Sequence, residues 1–387
     1  MSHAIDSLLE QARVIAHRYP IVDGHVDLPY RLYLGRDAEG RPTEDVTQRT
    51  ERGDFDRVRA EEGGHSSPFM SIYVPARHQE AGGARAVADA QIEIIDDIVR
   101  RCPEKFAHAG EPDDVQRNFK RSRISLPMGL ENGTALEGRL ENLEHFHARG
   151  IRYVTLAHSR DNDLCDSSYD TRRTHRGLSA FGRDVVRAMN ALGMMVDVSH
   201  ISDDSFEGVM ELSRAPVIAS HSSCRFFTPG WERNLSDEMI RALADKGGLA
   251  MVNFGSSFLD DRVRHAREAV QRGLLSFIQE HGFSEGGPEA AEFRRRAYAE
   301  HPIEWASVER VADHIDHIVE LVGIDYVGLG SDFDGVGDSL PTGLRDSSQL
   351  PNLVRVLLSR GYDDAELAQI LSGNALRVWQ SIRSASG

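Results

Sequence analysis

The run Pro20-Ile21-Val22-Asp23-Gly24-His25-Val26-Asp27-Leu28-Pro29 places a histidine and an aspartate two residues apart at the end of an apolar segment. In a strand, residues i and i+2 project from the same face. His25 and Asp27 can therefore enter one space together, as two ligands of one metal ion would. Taken alone, a His-x-Asp pair is better explained as a buried histidine beside a capping aspartate. The same chain, however, carries Glu131, His158, His200, His221 and Asp332, each just after a short apolar segment. Four histidines and three carboxylates, with no cysteine, suit zinc or a similar divalent cation held by imidazole and oxygen. Seven groups are too many for one tetrahedral site. They match two ions about 3.5–4 Å apart that share a bridging carboxylate and a bridging water. Glu131, between the halves of the set in sequence, is the candidate bridge, and the shared water would be the hydroxide nucleophile of a hydrolysis.

Such groups converge only if the elements before them end at one place. Strand patterns are expected at 20–27, 69–75, 125–131, 151–157, 194–198, 216–219, 248–254 and 326–330. Helical patterns are expected at 4–19, 83–102, 138–149, 178–192, 202–213, 236–246, 307–322, 349–360 and 364–383. Residues 33–64 are polar and glycine-rich and are expected to form a long loop after the first strand. Residues 256–305 are charged, helix-prone and too long for a simple connection, which makes them a helical insertion after the seventh strand. Repeated β–α units imply a parallel sheet, and eight of them imply an α/β fold closed as a (β/α)8 TIM-type barrel, here one domain over 1–387. A doubly wound open sheet is the alternative, but no Gly-x-Gly-x-x-Gly follows the first strand. In a parallel barrel the active site lies at the carboxyl ends of the strands. Six of the eight expected strands end in a histidine or a carboxylate there.

Other histidines carry weaker signals. His314 and His317 lie one turn apart on a helix outside the barrel and are expected on a charged outer face. His145 and His147 point to different faces of their helix, and His175 and His301 fall in loops.

Bulk composition bounds the rest. A net charge of −16 with no compensating basic patch argues against binding nucleic acid. The basic run Arg117 to Arg123 is short enough to be a solvated face. Cys102, Cys165 and Cys224 are odd in number and lack a Cys-x-x-Cys pair, so neither a disulfide framework nor a thiolate metal site is expected. No apolar stretch reaches membrane-spanning length, and the first residues lack the basic start and apolar core of a signal peptide. A cytoplasmic location is the expectation.

At these residues the sequence resembles the membrane (renal-type) dipeptidase family of di-metal peptidases, within the amidohydrolase-like barrels. The resemblance spans about residues 20–380. It rests on Asp23 to Pro29, Met195 to Asp203, Pro216 to Arg225, Arg233-Asn234-Leu235-Ser236-Asp237, Gly328 to Gly335 and Gly373 to Val378. It implies that His25, Asp27 and Glu131 hold one Zn2+ ion and that Glu131, His200 and His221 hold the other. It further implies that His158 contacts the substrate carbonyl and stabilises the developing oxyanion. Arg233 would pair with the dipeptide's terminal carboxylate through a planar bidentate fork. Asp332 would take a proton from the bridging water and pass it to the leaving amine; Asp334, two residues on, lies farther from the strand end. A homodimer acting on small dipeptides, including L,D-dipeptides, is implied as well. One departure stands out: the family's bridging carboxylate sits in Glu-Gly-Gly, and here Asn132 replaces the first glycine.

Two other readings compete with a binuclear dipeptidase. A related enzyme could use the same barrel and metals on another amide, lactam or N-acyl bond with a free carboxylate nearby. A non-catalytic metal-binding barrel would have lost at least one catalytic group, yet all eight are present.

Overall fold

Eight parallel strands close on themselves, with β1 paired to both the second barrel strand and the last. In this computed structural model, which describes residues 2–284 and 286–386, the strands are β1 Val22–Val26, β2 Ser67–Tyr73, β3 Phe106–His108, β4 Ile124–Leu126, β5 Met128–Glu131, β6 Ile151–Thr155, β7 Met195–Asp197, β8 Val217–Ala219, β9 Leu249–Val252 and β10 Val327–Leu329. The barrel runs β1-β2-β5-β6-β7-β8-β9-β10 and returns to β1 through Asp23 opposite Leu329. Helices cover its outside, so the strands are buried on both faces and read as short apolar runs rather than as alternating patterns. Helix Val308–Val322 shows the complementary rule. Its buried Val308, Val311, Ala312, Ile315 and Ile318 recur at spacings of three and four and form one stripe against the barrel. Ser179, Ser202 and Ser236 open their helices by accepting from the N–H three residues on.

The barrel interior is a core of its own. Val22, Phe69, Tyr153, Met195, Ile218, Leu249 and Met251 pack inside with Trp379 and Ile382 of the final helix, Asn374–Ser384. The Trp379 and Phe69 rings lie 5.2 Å apart, so the last helix plugs the barrel from beneath.

Several expectations need correction. The strand expected at 125–131 is two strands: β4 pairs with β3 as a separate parallel ribbon, and only β5 enters the barrel. Pro127 separates them, and a proline at such a point cannot donate to a ladder. Segment 33–64 contains a helix, Arg57–Gly63, capped by Asp56 and closed by Gly64 in the left-handed region. Helix Pro112–Phe119 includes part of the basic run and was hidden by its high charge. The insertion is a helical pair, Asp261–His281 and Pro288–Glu300, standing beside the carboxyl-terminal mouth. The three cysteines are free thiols. Among the described residues no helix is long and apolar enough to cross a membrane.

His314 is not on an outer face; it is fully buried. Its Nδ1 accepts from the Cys224 N–H at 3.0 Å and its Nε2 faces the Leu259 carbonyl at 3.0 Å. Only the neutral ring with its proton on Nε2 satisfies both partners. Burial pushes its pKa down to about 3. The unfolded chain takes up a proton here below about pH 6.5 while the folded chain does not, so this site's stability is lost as pH falls below 6.5 towards 3. The slope is about 1.4 kcal/mol per pH unit. His314→Gln, which can copy both hydrogen bonds, is expected to unfold at lower urea at pH 7.5 but to lose less further stability than the parent between pH 6.5 and 5. Identical pH slopes in the two urea titrations would remove His314 as the cause.

Candidate metal centre and active-site cleft

Glu131 ends β5 and is only 3 % exposed. One oxygen, Oε2, lies 3.3 Å from His25 Nε2. The other, Oε1, lies 3.3 Å from His200 Nε2, 3.5 Å from His221 Nε2 and 3.7 Å from His158 Nε2. Each oxygen therefore faces a different set of imidazoles. His25 sits in β1, and Asp27 follows the strand at the first turn of the next helix, with Oδ2 3.7 Å from His25 Nε2. His158, His200, His221 and Asp332 lie two or three residues beyond the ends of β6, β7, β8 and β10. Three overlapping groups have donor atoms within 4.8 Å of one another: His25, Glu131 and His221; Glu131, His158 and His200; and His25, Asp27 and Asp332. Seven of the eight residues singled out in the sequence thus meet in one place.

The outer partners decide which ring nitrogens face inward. Tyr153, from β6, lies across the barrel and donates to the Gly24 carbonyl at 3.1 Å, which leaves its oxygen to accept from His25 Nδ1 at 2.9 Å. His25 Nε2 is then a bare lone pair, buried without a hydrogen-bond partner, as is Asp27 Oδ1. Ser220 donates to Asp197 Oδ2 at 2.6 Å and can accept from His221 Nδ1 at 2.7 Å, so His221 Nε2 also faces the centre bare. His200 Nε2 and His221 Nε2 stand only 2.8 Å apart. Two such lone pairs at that distance need a shared cation or proton. Orphaned buried donors, a doubly facing carboxylate and nitrogens fixed by their outer hydrogen bonds fit divalent cations held by imidazole and oxygen.

Small residues permit the crowding. A Cβ on Gly129 would lie 2.0 Å from the Tyr153 ring, and one on Gly335 would lie 2.1 Å from Asp27 Oδ2 and 2.2 Å from Asp332 Oδ1. Backbone strain is concentrated here too, with Asn132, His200, Asp332 and Asp334 at φ of 79°, 70°, 61° and 67°. Asn132 tolerates that region because its side chain bonds locally, accepting from the Thr134 hydroxyl at 2.8 Å and donating to the Val74 carbonyl at 2.8 Å. The missing glycine is thereby accommodated.

Charge follows the same crowding. Burial works against ionised Glu131, but His25 and His158 hold its carboxyl well below the usual range. Burial also opposes a charged His25, yet Tyr153, Glu131 and Asp27 raise its pKa well above the ordinary value, so Nε2 takes a proton wherever no cation occupies its lone pair. Burial, with Arg233 beside His200 and His25 beside His221, keeps those two rings neutral. Asp332 is pushed up to about 7 by burial and then by the charge of Asp27. Its Oδ2 accepts from Asn253 at 2.8 Å. Asp334 points elsewhere, accepting from Arg31 at 2.7 Å and from the Asp54 N–H at 2.6 Å.

Arg233 lies beside the centre, not in the open cleft. It is 2 % exposed, donates to Ser222 Oγ and the His221 carbonyl, and has Nη2 3.1 Å from His200 Nε2. Its Nε has no partner. Tyr73 and Asn253 were not singled out in the sequence, although they sit at the ends of β2 and β9. The Tyr73 ring leans on His158 at 4.7 Å with the planes tilted by 59°, and Asn253 holds Asp332. The strand-end rule that found the histidines applies equally to them. Tyr153 and Ser71, which donates to Glu131 Oε2 at 3.1 Å, lie within strands and gave no such signal.

A cleft of about 1600 Å³ opens above the centre, lined by Asp27, Glu131, His158, His200 and Asp332 at its floor. Its wall includes Tyr169, Trp231 and Phe258, with the Trp231 and Phe258 rings stacked at 5.2 Å.

A closed parallel barrel whose strand ends present a carboxylate among four imidazoles is the architecture of the amidohydrolase-like hydrolases. A family model described as membrane dipeptidase, peptidase family M19, matches residues 9–386, and the chain belongs to that family. It is 32% identical over 371 residues to the dipeptidase tcpJ of Claviceps purpurea, covering 93% of this chain and 76% of that one. It is 31% identical over 382 residues to dipeptidase 3 of Mus musculus, covering 97% and 67% respectively. The crystal structure of the probable dipeptidase PvdM of Pseudomonas aeruginosa superposes with a TM-score of 0.83 at 27% identity, over 98% of this chain and 99% of that one. A Rhodobacter sphaeroides metallopeptidase, liganded with a phosphinate mimic of L-Ala-D-Ala, superposes with a TM-score of 0.76 at 25% identity, over 94% and 99%.

Because Tyr153 fixes the His25 ring from behind, Tyr153→Phe is expected to keep the fold and weaken divalent-cation binding about 10- to 100-fold. Competition titration against a chelator checks this; unchanged affinity would show that the hydroxyl does no orienting.

Proposed function

We propose that this protein is a binuclear metal-dependent dipeptidase, with Zn2+ as its cation, that hydrolyses dipeptides including L,D-pairs. The observation that carries the reading is Glu131, whose two oxygens face His25 on one side and His200 with His221 on the other. His25, Asp27 and Glu131 would hold one ion, and Glu131, His200 and His221 the second. Cations held there supply Lewis acidity towards a peptide carbonyl and acidify a water between them.

The chain's own residues do the rest. Asp332, beside Asp27 and His25, takes the proton of the attacking water and returns it to the leaving amine, a task suited to a carboxyl poised near neutrality. His158, neutral through burial and reaching the floor of the cleft, donates towards the developing oxyanion. Arg233 offers a guanidinium with an unpartnered Nε to the substrate's terminal carboxylate. The ligand of the Rhodobacter sphaeroides structure, a mimic of L-Ala-D-Ala, supports including L,D-dipeptides. The size of the cleft, well beyond two small residues, favours as second reading a related amide substrate of greater bulk.

Metal analysis of purified protein is expected to give about two divalent ions per chain, and a chelator should abolish dipeptide hydrolysis until zinc is restored. Protein that neither carries nor takes up metal would sink the mechanism. Asp332→Asn should retain its metal and lose about 10²- to 10⁴-fold in kcat. Full turnover in that variant would rule out the assigned proton transfer.

A further inference from the structure

The protein carries a net charge of −16, yet its cleft is lined by six arginines: Arg31, Arg52, Arg160, Arg264, Arg267 and Arg294. Such local reversal of sign focuses an attractive field on an anionic ligand. Much of this charge is already matched inside the protein. Arg31 lies 2.7 Å from Asp334, and Arg264 lies within 2.8 Å of both Asp261 and Glu268. Arg52 is exposed at the rim, and Arg160 reaches Glu80 only at 3.9 Å.

Arg267 differs from these. It stands on the first insertion helix, half-buried, and among the described residues its one hydrogen bond is to the Ser257 hydroxyl at 3.2 Å. Among the described residues no carboxylate lies within 4.0 Å of it. A guanidinium has five donors, and one neutral hydroxyl engages only one of them on a residue that lines the cleft. The wall links it to Arg233. Ser257 precedes Phe258, whose ring lies 5.1 Å under the Arg233 guanidinium, and the Tyr169 hydroxyl feels the charge of both arginines.

We propose that Arg267 binds a second carboxylate of the substrate, so that the protein prefers dipeptides whose C-terminal residue is glutamate or aspartate. This rests on the dipeptidase reading, in which Arg233 takes the α-carboxylate. The side chain of that same residue is then the group that extends along the shared wall towards Arg267. A charged carboxylate can meet the planar fork with two parallel hydrogen bonds, whereas a neutral amide cannot use its charge. The insertion thereby acts as the specificity element of the cleft.

The test compares Ala-Glu with Ala-Gln, and Glu-Ala with Gln-Ala, each in L,L and L,D forms, on the zinc-loaded protein. The ratio of kcat/KM for Ala-Glu over Ala-Gln is expected to be about 10 to 100 in the parent, as for a hydrogen bond to a charged group. In Arg267→Leu it should fall towards one, chiefly through KM, while Arg267→Lys keeps part of it and Arg52→Leu leaves the ratio in place. A parent ratio near one, a ratio untouched by Arg267→Leu, an equal drop in Arg52→Leu, or a preference carried by Glu-Ala instead would each overturn the assignment. Hydrolysis of Ala-Gln without any preference would defeat this inference alone. Failure to hydrolyse any of the dipeptides would defeat the dipeptidase reading and this one with it.

Discussion

A carboxylate removed from water is costly unless something positive meets it. Glu131 lies at the centre of the candidate site under that constraint: it is almost wholly buried, and its neighbours are imidazoles and other acids rather than lysines. Without a cation, compensation falls to the Ser71 hydroxyl and to a proton on a ring such as His25, which burial itself opposes. The barrel therefore builds a place where negative charge and bare nitrogen lone pairs exceed what the protein can satisfy. Two divalent ions would satisfy that excess, and cation binding, ring orientation and the state of Asp332 would then be linked. The surrounding hydroxyls of Tyr153, Ser220 and Ser71 extend the arrangement outward without adding charge.

The crowding also explains where the backbone is strained. Asn132, His200 and Asp332 occupy left-handed conformations that non-glycine residues avoid, and each lies just past a barrel strand. Isolated turns would relax. Here the adjoining strands are locked by their neighbours in the ladder, and the Asp332 N–H is tied to the His25 carbonyl at 3.0 Å. The cost is borne by the barrel and yields side chains aimed inward rather than at solvent.

Much of this was legible in the sequence because it follows two simple periodicities. The strand–helix alternation announces the barrel, and the barrel rule says where to look for histidines and acids. What stayed hidden depends on contacts between distant residues. His314 could not be told from a surface histidine by its helix position, since its burial comes from Cys224 and Leu259 on other elements. Tyr153 lies mid-strand, and only the absence of a side chain at Gly129 gives it room to reach His25. The break at Pro127 was readable in principle, but the apolar run on either side of it looked continuous. Arg267 sits in a charged helix where nothing local distinguishes it from its neighbours.

The barrel closes by pairing β1 with β10, and Asp54 and Asp334 clasp one another's backbone N–H groups across 280 residues of sequence. This closure sets the order in which the molecule comes into being. His25 and Asp27 leave the ribosome early, but Asp332 and the strand that completes their surroundings come more than 300 residues later. Contacts so far apart in sequence form slowly. During synthesis these groups therefore exist as scattered side chains on an open sheet, and the candidate cation site is among the last features to assemble. The nascent chain carries the site's residues long before it carries the site.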